Sequence, residues 1–520
     1  MKRTAILLTI LIMFTTELSA VAVVKAGAAC TKAGSTSTVS NKKFTCVKAG
    51  KKLVWDKGVV VKKPVVIIPE TPKIETSPVP TATPIAKLIN DGDVCKKPGE
   101  ILTQGNTTYK CLITSGLKNL WIDYSNLNAD LTRQNLSSDF SNCRIPDART
   151  TKIQRASIAY PAIPDDPAFT STSTINIAII PIDFIDQKGD VDPSTIYNNV
   201  ITETDEWNKW FARGKSKVNW TVYPNWIRAP KYSSDYSWVH PQSMTSQVLD
   251  NSIEIGDELV GIAESKIDLK NIQDILFIYP PDVSKIQDSI NYQRGMRTKN
   301  GIQMLGIYAT SIWSYTWQKS LAMWLIHENM HRFGYAGHAP GFPMNFSIAN
   351  NQSGQSRVMN VWDRIVLDWI NPGDIYCADI NNLNSETITL VPQEREQSGP
   401  QGIAIKLSSH ELLILESHKQ DKWSSEYPSE FYGITAMYVD TTRDTDRSGE
   451  NFGDDYKGTK FSRTATYLEF KELNHGPESD GSISGAINYL LYQGETFTFK
   501  GVKVDFVKAG YNDVIKVSKE

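Results

Sequence analysis

The sequence predicts an α+β protein built in several parts, and three observations carry that expectation. Apolar, β-branched runs such as Ile175–Ile182 and Asp274–Tyr279 precede a helical pattern carrying His327-Glu328-Asn329-Met330-His331. From Glu386 onward, short strand-like segments dominate to the C-terminus. Ahead of both, Cys30 and Cys46 are spaced as Cys95 and Cys111 are, which marks an internal repeat. At 520 residues the chain exceeds what one hydrophobic core can organise. The expected divisions are a signal peptide over 1–28, stapled modules over 29–57 and 91–125, and a linker over 58–90. A catalytic domain over 126–380 and a β-rich subdomain over 381–520 follow.

The start reads as an export signal. Lys2 and Arg3 precede the mostly apolar Ala5–Phe14, and small residues then offer cleavage after Ala22, Ala26 or Ala28. That run is short for a membrane span, and no other segment approaches ~20 apolar residues. The mature chain is therefore expected to be secreted, with association to the cell wall left open. A net charge of −2 brings no basic excess, which argues against nucleic acid and acidic membranes as partners.

An oxidising compartment makes sense of the cysteines. Each module is too small to stand on its core alone, so Cys30–Cys46 and Cys95–Cys111 disulfides are expected as staples. The spacing lacks the C-x₂-C pair of a zinc module. Trp55 and Trp121 recur after the second cysteine of each copy. They either contact a cell-wall polymer or partner, or merely cover the disulfide. Between the copies, Pro64, Pro69, Pro72, Pro78, Pro80 and Pro84 favour extended, semi-rigid chain.

In the catalytic region the expected elements are a strand over 175–182, a helix over 202–211 and a strand over 218–223. A helix over 253–267, a strand over 274–279, a segment at 306–308 and the motif helix come next. On that helix the i, i+4 spacing places His327 and His331 on one face, where two imidazoles can reach one Zn²⁺. Glu328 stands beside the first ligand, positioned to take a proton from a zinc-bound water. Gly334 permits a left-handed exit from the helix, and His338 can then swing back as third ligand. Three of the seven histidines fall between 327 and 338. The bland alternative is a buried helix with two satisfied histidines. His410 and His418 are expected at the surface. Asp440–Asp455 is acidic and contains glycine but has no EF-hand spacing, so a Ca²⁺ site finds no support.

A helix is expected to start near Asn360, with Met359, or else Met344, as a methionine beneath the metal or an ordinary core residue. The strands expected afterwards cover 388–391, 403–407, 412–416, 433–439, 496–499, 502–506 and 514–517, with turn chemistry at Gly510 and Asn512-Asp513.

From about residue 175 to the end, the chain resembles the M6 peptidase family, the immune inhibitor A-like secreted metalloproteases, in a form like that of Gram-positive actinobacteria. The matching pieces are Ile179-Ile-Pro-Ile-Asp-Phe184, Trp210-Phe-x-x-Gly-Lys-Ser-Lys217 and H-E-x-x-H-x-x-G. Trp362-Asp-Arg-x-x-Leu-Asp-Trp369 and Gly494-Glu-x-Phe-x-x-x-Gly-Val-Lys-Val504 complete the set. The resemblance implies a zincin-like fold and a zinc-dependent endopeptidase with one catalytic ion. His327 and His331 would be ligands, Glu328 the general base, and a protein or peptide the substrate. Family members usually continue G-x-x-D, whereas this chain reads Gly334-Tyr335-Ala336-Gly337 and then His338. The third ligand is therefore His338 or a distant Asp or Glu. Two other readings stay open: a catalytically inactive adhesin or wall-binding protein on the same fold, and a zinc amidase acting on wall peptides. Cys143-Arg-Ile-Pro-Asp147 is similar to the cysteine-switch segment of matrix metalloproteases, but a Cys143–Cys377 disulfide is the favoured reading.

Overall fold

The computed structural model describes residues 25–30, 32–39, 42–50, 52–60, 88–114, 118–123, 138–150, 157–164, 166–237, 251–280, 290–310, 320–335, 346–349, 356–424, 432–443, 464–473, 475 and 487–520. Nearly all of the expected signal peptide and most of the Pro-rich linker lie outside them, as do His338 and Met344. Two compact units are present, Met1–Ala86 and Lys87–Glu520. Among the described residues, no helix is long and apolar enough to cross a membrane.

The first unit holds β1 (Thr36–Val39), β2 (Lys42–Ala49), β3 (Lys52–Trp55) and β4 (Val59–Val60) in one antiparallel sheet centred on β2. Residues 88–123 of the second unit repeat the same construction with β5 (Ile101–Gln104), β6 (Thr107–Thr114) and β7 (Lys118–Asp123). In both, the second cysteine lies opposite the tryptophan, Cys46 facing Trp55 and Cys111 facing Trp121. The hydrogen bonds match as well: Gly34 and Gly99 donate to Cys46 and Cys111, and Gly27 and Gly92 donate to Trp55 and Trp121. Cys30–Cys46 and Cys95–Cys111 are joined. Trp121 is buried over its disulfide with Ile89 and Tyr109 against it, which makes it a cover for the staple.

In the second unit, β8 (Thr174–Asp183) owes its place to Thr-Ile-Asn-Ile-Ala-Ile-Ile-Pro-Ile-Asp, an apolar run buried on both faces. Helix α1 (Ser194–Phe211) follows, burying Val200, Thr204, Trp207, Asn208 and Phe211 along one stripe. Then come β9 (Lys217–Val222), β10 (Ile227–Arg228), α2 (Ser252–Glu264) and β11 (Asp274–Ile278), the last fully buried. β12 (Ile290–Thr298) and β13 (Gly301–Thr310) close the sheet, whose order is β10-β8-β11-β13-β12 with β9 also on β8. All pairs are parallel except β12–β13. The motif helix α3 (Leu321–Arg332) follows, then the short α4 (Val361–Val366), capped by the Asn360 side chain on Asp363 N.

The remaining strands are β14 (Ile375–Asp379), β15 (Glu386–Leu390), β16 (Gly402–Lys406), β17 (Glu411–Ser417), β18 (Ile434–Asp440) and β19 (Ala465–Tyr467). β20 (Leu490–Leu491), β21 (Thr496–Phe499), β22 (Val502–Lys508) and β23 (Asp513–Lys519) end the chain. One sheet runs β14-β16-β17-β18-β19 with β20 on β18, and a second runs β15-β23-β22-β21. The period-2 alternation of β17 divides its side chains between two cores. Leu412 and Ile414 join the core that holds α3, while Leu413 and Leu415 join Val504, Phe506 and Ile515 of the second sheet. The middle sheet is thus covered on both faces, and the C-terminal strands share a core with the motif helix. The architecture is a mixed α/β one, rich in sheet and sparing in helix.

Several expectations on elements are corrected. α1 begins at Ser194 rather than Thr202, and the segment at 306–308 is part of a long hairpin, β12–β13. β14, β19 and β20 were not expected as strands.

Candidate metal centre

Helix α3 starts where Ser320 Oγ accepts from Met323 N, and it ends at Gly334, whose φ of 82° is left-handed. Between these caps the helix is buried on every side except at Glu328 and His331, which are half-buried. An amphipathic surface helix would show a broad polar face. Here the only opening coincides with the second histidine and the acid of the motif.

His327 is 5% exposed, and its Nδ1 lies 2.7 Å from the carbonyl oxygen of Ile348. A carbonyl can only accept, so Nδ1 carries the proton, and in the neutral imidazole Nε2 then keeps its lone pair. The Nε2 atoms of His327 and His331 stand 3.4 Å apart, with ring planes crossed at 83°. Two nitrogens each ~2.05 Å from one tetrahedral ion sit about 3.3 Å from each other. The separation is therefore compatible with shared ligation, and also with an imidazole–imidazole hydrogen bond. Imidazole nitrogen suits zinc, and a carbonyl on the far nitrogen is the usual support for a ligating histidine. His338 lies outside the described residues, and among those described no third His, Cys, Asp or Glu completes a metal-ligand group with the pair.

Both ends of α3 are tied to the rest of the unit. At the start, Ser320 Oγ donates to Glu203 Oε2 at 2.7 Å, and Glu203 Oε1 accepts from Arg357 Nη1 at 2.9 Å. At the end, the Arg332 guanidinium pairs with buried Asp274 on β11 and lies 3.8 Å over the Phe169 ring. Burial pulls its pKa down to about 9. Burial, with the Glu328 charge adding to it, pushes the Tyr308 hydroxyl well above its ordinary value. A cavity of about 790 Å³ borders the start of α3, lined by Glu203, Ser320, Arg357, Lys422 and Trp423 among others, but neither motif histidine lines it.

A second group of buried polar residues includes Tyr335, which follows the motif helix. Asp363 accepts from Ser347 Oγ at 2.6 Å and from the Tyr335 hydroxyl. Burial pushes the Asp363 carboxyl up to about 7, and the Ser347 and Tyr335 hydrogen bonds only partly offset it. Met359 is fully buried in the same core.

Two sequence expectations change here. His418 is fully buried rather than at the surface, with Nδ1 2.8 Å from Glu394 Oε1 and Nε2 3.3 Å from Glu416 Oε2. Burial alone would lower its pKa, but the two carboxylates outweigh it and raise it to about 9. His410 is half-buried beside Ser409. Cys143 and Cys377 are joined, as the favoured reading expected, and both are essentially inaccessible. Sequence reasoning missed Ile348 as the partner of His327, and Asp363, Glu394 and Glu416 as buried acids elsewhere in the same unit. Their places are set by tertiary contacts, and no local pattern announces them.

No family model matches the chain, and no curated protein matches it. Among solved structures, one match is the crystal structure of catalytically inactive OgpA from Akkermansia muciniphila in complex with an O-glycopeptide (glycodrosocin) substrate. It is 12% identical and covers 54% of this chain and 86% of that chain, with a TM-score of 0.21. Overlap of that quality carries no argument about fold or activity.

Proposed function

We propose that the chain is a secreted zinc-dependent endopeptidase of the immune inhibitor A-like, zincin-fold kind. In this reading His327 and His331 hold the ion, His338 is the third ligand, and Glu328 is the general base. The observation that carries it is the 3.4 Å approach of two Nε2 atoms at the sole opening of an otherwise buried helix. Histidines retained for packing alone would have no need of a half-open carboxylate between them. A zinc ion there would supply a Lewis acid for the substrate carbonyl and bring the pKa of water down to ~7.

The chain's own residues do the rest. Ile348 holds His327 in the tautomer that presents Nε2. Glu328, at the open face, accepts the proton of the attacking water and returns it to the departing amine. β12, the end strand of its sheet among the described residues, offers backbone groups to an extended peptide. The joined cysteines and the expected export signal suit an extracellular site of action.

The test is metal content and hydrolysis of casein by the purified chain, with and without chelator. Stoichiometric zinc and chelator-sensitive cleavage are expected, both reduced in His338→Ala. A protein that stays empty when zinc is supplied removes the reading. Cleavage of purified peptidoglycan but not casein would replace it with the amidase, and zinc without hydrolysis of either with an inactive binding protein.

A further inference from the structure

We infer that the buried triad Glu394–His418–Glu416, brought together at the end of β17, positions the ligand His327 through Phe346 and the carbonyl of Ile348. The inference rests on the zinc reading above and names the residues that hold its site in register.

All three side chains of the triad are at most 1% exposed. Each carboxylate oxygen has a neighbour of matching polarity. Glu394 accepts from His418 Nδ1 with Oε1 and from Lys419 N with Oε2, the latter at 3.0 Å. Glu416 accepts from Val361 N at the start of α4 with one oxygen and faces His418 Nε2 with the other. Burying two carboxylates and an imidazolium is expensive, and an apolar cluster of the same volume would usually stabilise the fold more. A buried ionic group of this kind is better understood as fixing one arrangement than as adding stability.

What it fixes is the segment 346–349. The Phe346 ring is stacked on His418, centroids 4.0 Å apart and planes 19° from parallel. The next residue, Ser347, donates to Asp363. Ile348 N donates to Val358 O at 2.7 Å, and Ile348 O receives His327 Nδ1. Three consecutive residues are thus pinned to three different elements, and the last pin is the orienting bond of the first motif histidine. Only Ser347 lies between the stacked residue and the one bearing that carbonyl, so a shift at Phe346 reaches Ile348 with little slack. If the carbonyl moves away, His327 can exchange tautomers and turn its ring, and Nε2 no longer converges with that of His331. Loss of such an outer partner typically weakens metal affinity 10–100-fold.

The experiment uses the full chain carrying Phe346→Leu, which removes the ring face while keeping an apolar side chain and leaving the three triad residues unchanged. His418→Gln is its companion. Zinc affinity is read by competition with a chromophoric chelator. The tautomer of His327 is read by ¹⁵N NMR of the metal-free protein, and folding by cooperative thermal unfolding. The expected result is a Phe346→Leu protein that unfolds cooperatively, binds zinc ~10–100-fold more weakly and shows His327 in mixed tautomers, with His418→Gln shifting in the same direction. Unchanged affinity and a single tautomer in folded Phe346→Leu overturn the inference. So does a Phe346→Leu chain that fails to fold, because the contact must act locally. Wild type that takes up no zinc would sink the endopeptidase reading, while the His327 tautomer would still decide the positioning claim.

Discussion

A side chain at Gly334 would collide with Ile163, because a Cβ there would stand 2.1 Å from the Ile163 carbonyl oxygen. The same residue holds φ at 82°, and its own carbonyl accepts from Ser157 N at 2.7 Å. Steric space and backbone conformation therefore both demand glycine where the chain leaves the motif helix. Gly334→Ala should lose about 2–4 kcal/mol of stability, from a left-handed alanine plus a forced backbone shift. Chemical denaturation measures it. An unchanged midpoint would mean that the segment around Ile163 yields freely.

Glu328→Gln keeps the shape of the side chain and removes its basicity. The position is half-buried at the one opening of α3, so an amide of equal volume fits there without new burial of charge. Turnover of a peptide substrate should fall by roughly 10²–10⁴, with zinc content and melting temperature held. A variant that keeps most of its activity would strip Glu328 of the general-base role and point to another acid.

How much of this could be read from the chain depends on where the physics is local. β8, β11 and α3 were legible because their apolar runs and caps lie within the elements themselves. The hairpin β12–β13 was not expected, although Asn300-Gly301 is a turn signal and Gly301 takes a φ of 101°. Its strands mix Gln, Arg, Gly and Thr and lack a clean alternation. The first half of α1 was hidden by Thr195, Ile196, Asn198 and Asn199, poor helix formers that tertiary packing of Val200 and Trp207 overrides. At the site, the motif fixed His327, Glu328 and His331 as candidates on its own. His418 is expected at the surface from sequence, yet it and Lys419 are buried because their partners Glu394 and Asp513 arrive from elsewhere in the chain, and only their arrival makes that burial tolerable.

Cys143–Cys377 closes a loop with a sequence separation of 234 residues, joining the segment before β8 to β14. In the chain-entropy account a closure of this length contributes up to about 5 kcal/mol. The double variant Cys143→Ser, Cys377→Ser should unfold at markedly lower denaturant while Glu328-dependent activity persists at low temperature. Intact mass under non-reducing conditions should show no titratable thiol on either residue. Two free thiols there would remove the staple and return Cys143 to the status of a candidate zinc ligand.

Asp363 gives the fold a pH dependence opposite to that of an ordinary surface carboxylate. Its carboxyl titrates at about 7 in the folded protein, chiefly because it is buried, against an ordinary value of 3.8. Between those two values the folded chain keeps a proton that the unfolded chain has released. The folded state binds more protons there, so this group's contribution to stability falls as pH rises from about 4 to 7 and is flat beyond. Three units of difference correspond to about 4 kcal/mol across the window. Other groups titrate in the same range, so the informative quantity is the difference between wild type and Asp363→Asn, whose amide cannot ionise. That difference should move in favour of the variant as pH increases, even if the amide makes poorer hydrogen bonds with Ser347 and Tyr335 at every pH. Denaturation midpoints at a series of pH values from 4 to 8 read it directly. Parallel curves for the two proteins would show that the carboxyl ionises normally, and that Tyr335 and Ser347 solvate its charge fully inside the core.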